Sequence, residues 1–239
     1  MKKKMQPEEN KQPIEKNYRV IFDDQEEKHQ LVEEPGAVYG YTYADYLQWK
    51  IKERLELIRG RIFKLSAPNT KHQLVAGQLY VQLRTFADAG PCYVFIAPFD
   101  VRLPIQRNDP DHKIKTVVQP DLCVVCDESK IDRKGCCGAP DLVVEILSPG
   151  NSRHEVRTKY NLYQEAGVPE YWLINPEEEN LVQYVLDDKG KYVHGKMLAA
   201  GDTVTSHALH GFTMEVAAFF NFAPIGKKNA ESGEKEEYL

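Results

Sequence analysis

The stretch "DLVVEILSPGNSRHEVRTKY", Asp141–Tyr160, decides the fold, because an apolar run passes directly into a helical pattern and carries a carboxylate, Glu145, in its middle. Side chains alternate along a strand, so Asp141, Val143, Glu145 and Leu147 share one face and Leu142, Val144 and Ile146 the other. Apart from the acids both faces are apolar, which predicts a strand covered on both sides. An unpaired ionised carboxylate there costs several kcal/mol or takes up a proton. The helix that follows is marked by Ser152 and Glu155 in S-x-x-E spacing and by Gly167 at its end. Its apolar stripe, Leu162, Tyr163 and Ala166, includes Lys159.

The preceding strand repeats the irregularity: Asp121 follows Pro120 and shares its face with Cys123 and Val125. If the two strands are neighbours, two carboxylates converge at one end of the sheet, and their repulsion adds to the cost of burial. A divalent cation removes both penalties. Mg²⁺ fits, with Mn²⁺ as a substitute, because it is commonly held by one or two carboxylates plus waters and substrate phosphate; the backbone carbonyl of Ile146 is a further candidate ligand. The plainer alternative gives each acid its own Arg or Lys, or a solvated strand end. Asp141, about 13 Å along the backbone from Glu145, reads as a turn acid. Lys159 stands four residues after Glu155, the spacing of an exposed ion pair, yet its stripe puts it at the edge of the buried face, where an amine can hold an attacking water or counter charge on a transition state.

Working outward, "YTYADYLQWK" opens with Thr42 and Asp45 in capping-box spacing, and "RLELIRGRIFKL" alternates around Arg59-Gly60 as a hairpin. "TKHQLVAGQLYVQLRTFADAG" has helical intervals ending at Gly90, and "CYVFIAPFDVRL" reads as a strand with a proline-marked irregularity. "EYWLIN" is a strand, "LVQYVL…KYVHGK" a hairpin, and "TMEVAAFFN" a short closing helix. This order predicts an α/β domain with strand-rich additions over 39–222. Residues 1–38 and 223–239 are charged and lack apolar patterning, so both read as disordered tails.

Composition narrows the class. With 42% apolar residues and 10% aromatics in 239 residues, the chain reads as globular. No window holds the roughly 18 apolar residues of a membrane helix, and the N-terminus lacks the apolar core of a secretory signal, so the cytoplasm is expected and no membrane partner. Five cysteines suggest no disulfide framework. A net charge of −5 gives no global basic field, so a polyanion must be met by a local patch or a metal ion.

The run "VVQPDLCVVCDESKIDRKGCCGAPDLVVEILSPGNSRHEVRTKYNLYQEAGVPEYWLINP" resembles the bacterial Uma-two family of endonucleases, in the PD-(D/E)XK superfamily, and the likeness extends from about Tyr41 to Phe220 through Q-P-D, V-E-I-L-S-P and the later lysine. The resemblance implies a restriction-endonuclease-like mixed β-sheet flanked by helices, with additional β-hairpins. In that superfamily a lysine stands two residues after the second acid; here Leu147 does, and the resemblance implies that Lys159 has taken the role from the helix. It also implies that Glu56, in "LELIRG", helps hold the metal or its waters. Leu55, Arg59 and Glu155 stand where family members often carry Tyr, an acid and Asp.

The remaining candidates are weaker. Cys123 and Cys126 point to opposite faces of a strand and Cys136-Cys137 are adjacent, so zinc is disfavoured; His207 and His210 lack partner ligands, and Ser148 lacks a nucleophile elbow. Lys71 and His72 at a helix N-terminus could touch a phosphate, beside the more ordinary reading of a solvated first turn. The expectation is thus a Mg²⁺-dependent endonuclease acting on DNA, with Asp121, Glu145 and Ile146 holding metal, Glu56 assisting, Lys159 placing the water, and His72, Lys71 and Glu155 near the substrate. Cutting both strands of a duplex suggests a homodimer. The rival expectations are a catalytically silent nuclease fold serving as a binding or regulatory protein, and an enzyme hydrolysing a small phosphoester.

Overall fold

The computed structural model describes residues 40–149 and 153–222. The expected tails, 1–38 and 223–239, and the expected cap Ser152 lie outside them. In chain order the elements are α1 (Tyr43–Tyr46), β1 (Leu55–Ile58), β2 (Arg61–Lys64), α2 (Thr70–Ala87), β3 (Tyr93–Ile96), β4 (Val101–Arg102), β5 (Val117–Val118), β6 (Leu122–Val125), β7 (Ile131–Asp132), β8 (Gly135–Cys137), β9 (Leu142–Ile146), α3 (Arg153–Ala166), β10 (Glu170–Asn175), β11 (Asn180–Leu186), β12 (Tyr192–Ala199), β13 (Thr203–Thr205), β14 (Thr213–Glu215) and α4 (Ala217–Phe220). None of the described helices is long and apolar enough to cross a membrane.

The strands form a main sheet in the order β12-β11-β10-β9-β6-β3, a second sheet in the order β2-β1-β5-β4-β8-β7, and the hairpin β13-β14. Strand β9 sits inside the main sheet, parallel to β10 and antiparallel to β6. Alternation along these strands sends Leu122, Val124, Val144 and Ile146 to the face packed with Val75, Leu79 and Leu83 of α2. Cys123, Val125 and Val143 go to the other face, against Leu162 and Tyr163 of α3 and Ile58 of β1. The strand of Glu145 is therefore covered on both sides, and its glutamate is on the α3 side.

Local signals in the sequence account for the elements around it. Thr42 and Asp45 form the reciprocal capping box of α1. The β1–β2 hairpin turns through Arg59 (φ 52°) and Gly60 (φ 78°), the left-handed pair that a two-residue turn requires. Glycine is also needed at 60 because a Cβ there would meet Gly40 Cα at 3.0 Å.

Two features depart from the sequence expectation. "CYVFIAPFDVRL" is not one strand: β3 pairs with β6 in the main sheet, whereas β4 pairs with β5 and β8 in the second. Cys92 and Cys126 are joined in a disulfide, because the β3–β6 register that sets Tyr93 opposite Val125 brings the next residues outward opposite each other. Cys123, Cys136 and Cys137 remain thiols.

Glu170 shows how a buried acid is satisfied without a cation. Its side chain is fully buried. Oε1 accepts from Trp172 Nε1 and Gln183 Nε2, and Oε2 from Ser206 Oγ and the backbone N–H groups of His207 and Ala208. Five donors replace the water lost on burial and pin the β13–β14 loop to the main sheet. Glu145 has a different environment.

Candidate active site

Strand register brings the two predicted acids together. Leu122 lies opposite Val144 and Cys123 opposite Val143, so one step further Asp121 lies opposite Glu145, and opposed residues of an antiparallel pair share a face. The Ile146 N–H donates to Asp121 Oδ2 at 2.7 Å, while Leu147 N–H turns to Ile174 on the far side. Because the N–H and C=O of one strand residue leave on the same side, the Ile146 carbonyl is directed toward the Asp121 side of β9.

The other members come from α3 and the second sheet. Glu56 shares a face of β1 with Ile58, which packs under α3, so its carboxylate enters the space between the sheets. Lys159 Nζ lies 2.6 Å from Glu56 Oε1 and 3.0 Å from Glu145 Oε1; it turns to these two acids, and its side chain is only 7% exposed. Tyr163 OH donates to Glu145 Oε1 at 2.5 Å, and Gln119 N–H to Glu56 Oε1 at 2.7 Å. The exposed pair Arg59–Glu165 links the β1–β2 turn to α3, the two elements that carry Glu56 and Lys159.

His72 is not in a solvated turn. It is buried, and Nε2 lies 3.1 Å from Asp121 Oδ2, while Nδ1 is enclosed without a partner among the described residues. The protein-derived neighbour of Asp121 is thus an imidazole, reached because α2 starts beside the start of β6. Lys71, one residue earlier, points elsewhere and pairs with Glu177 at 3.3 Å. Glu155 stands in the first turn of α3. Asp141 caps the start of its strand by accepting from Cys126 N–H at 2.7 Å, the turn role expected.

Three residues absent from the expected site complete it. Tyr163 read as part of an apolar stripe, and its position one turn after Lys159 was the available signal. Gln119 stands two residues before Asp121. Its side chain is fixed by Asp100 Oδ1 at 2.9 Å, Tyr46 OH at 3.3 Å and Arg54 Nε at 3.2 Å, which holds its backbone N–H on Glu56. Asp100 also accepts from Tyr43 OH, so α1 buttresses the same point.

Electrostatics set the character of the cluster. Three carboxylates face one ammonium, so with all ionised two negative charges are in excess. Burial pushes the Glu145 carboxyl up to about 7; Asp121 and Glu56 push the same way, against Lys159 and the Tyr163 hydrogen bond. Burial alone would lower Lys159, but Glu145 and Glu56 hold it above the ordinary lysine range. The hydrogen bond from Ile146 and the His72 contact both fall on Asp121 Oδ2, and the hydrogen bonds to Glu145 fall on Oε1. The second oxygen of each accepts none among the described residues, and the side chains remain 18% and 17% exposed. No three His, Cys, Asp or Glu side chains among the described residues are arranged to chelate one ion together; the cluster leaves one carboxylate oxygen of Asp121 and one of Glu145 without a hydrogen bond, with the Ile146 carbonyl on the same side of β9 as Asp121.

Comparison with known proteins agrees with this architecture. A crystal structure from Anabaena variabilis, described as "a putative nuclease belonging to DUF820", superposes with a TM-score of 0.61 over 75% of this chain and 97% of that one, at 18% identity. That similarity establishes the fold: a restriction-endonuclease-like mixed sheet flanked by helices. "Uncharacterized protein slr1290" of Synechocystis sp. is 25% identical over 154 residues, which is 62% of this chain and 76% of that protein. Residues 43–217 match the Uma2 family, described as "Putative restriction endonuclease", and with that match spanning most of the sequence the chain belongs to the Uma2 family.

Proposed function

We propose that the protein is a Mg²⁺-dependent endonuclease that hydrolyses phosphodiester bonds in DNA, with Mn²⁺ able to substitute. The observation that carries this reading is the convergence of Glu145 and Glu56 on Lys159, with Asp121 opposite Glu145 on the neighbouring strand, negative charge in excess, and one oxygen each of Asp121 and Glu145 accepting no hydrogen bond among the described residues. A hard divalent ion suits that donor set. Asp121 and Glu145 would hold it, with the Ile146 carbonyl; when bound, Mg²⁺ supplies Lewis acidity to the scissile phosphate.

The chain's own groups supply the remainder. Lys159 has three N–H donors, of which Glu56 and Glu145 take two; the third can hold the attacking water and counter the charge that develops on the phosphoryl oxygens. The oxygen of that water bonds to phosphorus as the bond to the bridging oxygen breaks; the proton the water gives up passes to solvent, and the departing oxygen takes one from solvent. Glu56, held by Gln119 and by the amine it shares with Glu145, keeps Lys159 charged and in place. A second copy of the chain would supply the cut on the opposite strand.

Incubation of the purified protein with supercoiled plasmid and Mg²⁺ or Mn²⁺ tests the reading. Metal-dependent nicking that disappears in Asp121→Asn and Glu145→Gln is the expected result. Equal nicking by all three proteins, or none by the wild type, would overturn it and leave the rival, a silent nuclease fold in which the Lys159 ion pairs serve structure alone. His72 gives an independent readout. As the side chain that orients Asp121, it is expected to set metal affinity: His72→Ala should weaken Mn²⁺ binding by about 10- to 100-fold, and His72→Gln, which keeps a donor, by less, as measured by titration calorimetry.

A further inference from the structure

Beyond Glu145 the strand ends at Ile146, and at Leu147 and Ser148, which follow it, a groove of about 510 Å³ opens against the first turns of α3. It adjoins the acid cluster: Leu147 shares the face of Glu145 about 7 Å further along the backbone, and Val156 and Tyr160 flank Lys159 on the helix. The lining is apolar and aromatic, with Leu147, Val156, Tyr160 and Tyr184. The Tyr160 and Tyr184 rings meet edge to face, with centroids 5.0 Å apart.

Arg153 and Arg157, one helical turn apart, also line the groove. Both are exposed, and neither pairs with a carboxylate among the described residues. Across from them stand Glu177, engaged by Lys71 at 3.3 Å, and Glu178, whose Oε2 accepts from Asn180 Nδ2 at 3.4 Å. Among the described residues the two guanidinium groups are thus the groove's charges without a carboxylate counterpart, and a planar fork of donors matches phosphate.

A continuous duplex lying over the acid cluster presents phosphates to such arginines but keeps its base faces stacked on one another. It has no use for an aromatic recess within the size range of pockets that enclose a single small ligand, roughly 300–1,000 Å³. Cations beside aromatic rings are what an unpaired nucleotide needs, phosphate on one and base face on the other. We propose that this groove receives one unpaired nucleotide next to the scissile phosphate, so that the preferred substrate is DNA with a single-stranded segment, flap or extruded base. The proposal rests on the nuclease reading above.

Binding without cleavage tests it, with Ca²⁺ in place of Mg²⁺. The probes are a fluorescent single strand, carrying 2-aminopurine at one position, and a sequence-matched dumbbell duplex without ends. The wild type is expected to bind the single strand about tenfold more tightly than the dumbbell and to quench the 2-aminopurine. The double variant Arg153→Ala/Arg157→Ala should lose about tenfold in single-strand affinity while the dumbbell changes less than about twofold. Lys189→Ala, on the β11–β12 turn near the other end of α3, should alter neither. Equal affinity of the wild type for both probes, or equal losses on both in the double variant, would overturn the proposal and leave the nuclease reading intact. Failure of the nuclease reading shows separately, as a plasmid that the wild type never nicks.

Discussion

At pH 8, Glu145→Gln is expected to melt at a higher temperature than the wild type while no longer cutting DNA. The carboxyl of Glu145 sits in a covered strand beside two further acids, and these surroundings push it up to about 7. Its folded-state value therefore lies above its unfolded one, so ionisation costs stability: the penalty is absent below about 4.5, accumulates as pH rises, and is complete above about 7. The amide keeps the shape and an acceptor for Tyr163 and Lys159 but carries no charge. The shift is already net of the attraction to Lys159, so the expected gain is about 1–3 kcal/mol at pH 8, shrinking to nothing as pH falls to 4.5. Thermal melts of both proteins across pH 4–8 measure it. Mn²⁺ should raise the melting temperature of the wild type and leave the variant unmoved, since an ion that binds only the folded state stabilises in proportion to its occupancy. A lower melting temperature for the variant at pH 8 without metal would mean that Glu145 is a net structural contributor, like Glu170.

That contrast between two buried glutamates marks what could be read from the sequence. Both lie in strands among apolar residues, and pattern alone signals that each needs compensation. It does not say of which kind. Glu170 is met by donors from a loop some 36 to 38 residues later, and Glu145 by Lys159 and Tyr163 of α3, the first of them shared with Glu56 of β1. Glu145, Asp121 and Lys159 were nevertheless legible, because alternation in two adjacent strands and one helical stripe fix their faces, and those faces survive packing. Glu56 came only from the family resemblance, since a four-residue strand in a separate sheet carries no hint of which space its acid enters. His72 was read as a residue near the substrate, but its burial against Asp121 escaped, because helix-terminal position describes exposure only when nothing covers the first turn, and here the start of β6 does. The Cys92–Cys126 disulfide was likewise hidden in the β3–β6 register, which no local pattern specifies.

Lys159→Met is expected to shift stability in the opposite direction from Glu145→Gln, with the same loss of cleavage. The amine is shared by Glu56 and Glu145 and is almost wholly buried, and methionine replaces its volume without its charge. Two carboxylates are then left facing each other and Asp121 without a cation, a loss of about 3–5 kcal/mol for breaking a buried pair from one side. Glu145 can escape only by taking up a proton, so its folded-state value rises further above the unfolded one. The destabilisation should therefore be greatest at pH 8 and recede as pH falls toward 5, as followed by urea unfolding at several pH values. Adding Glu56→Gln to Lys159→Met should recover part of the loss, because it removes one of the two stranded charges, yet cleavage should stay at least about 100-fold down, the scale of losing one donor aimed at a transition state. A cluster kept for stability alone would weaken whichever member was removed. Opposite signs for the acid and the amine, with activity lost in both, instead describe a site that holds surplus negative charge ready for a cation and a phosphate.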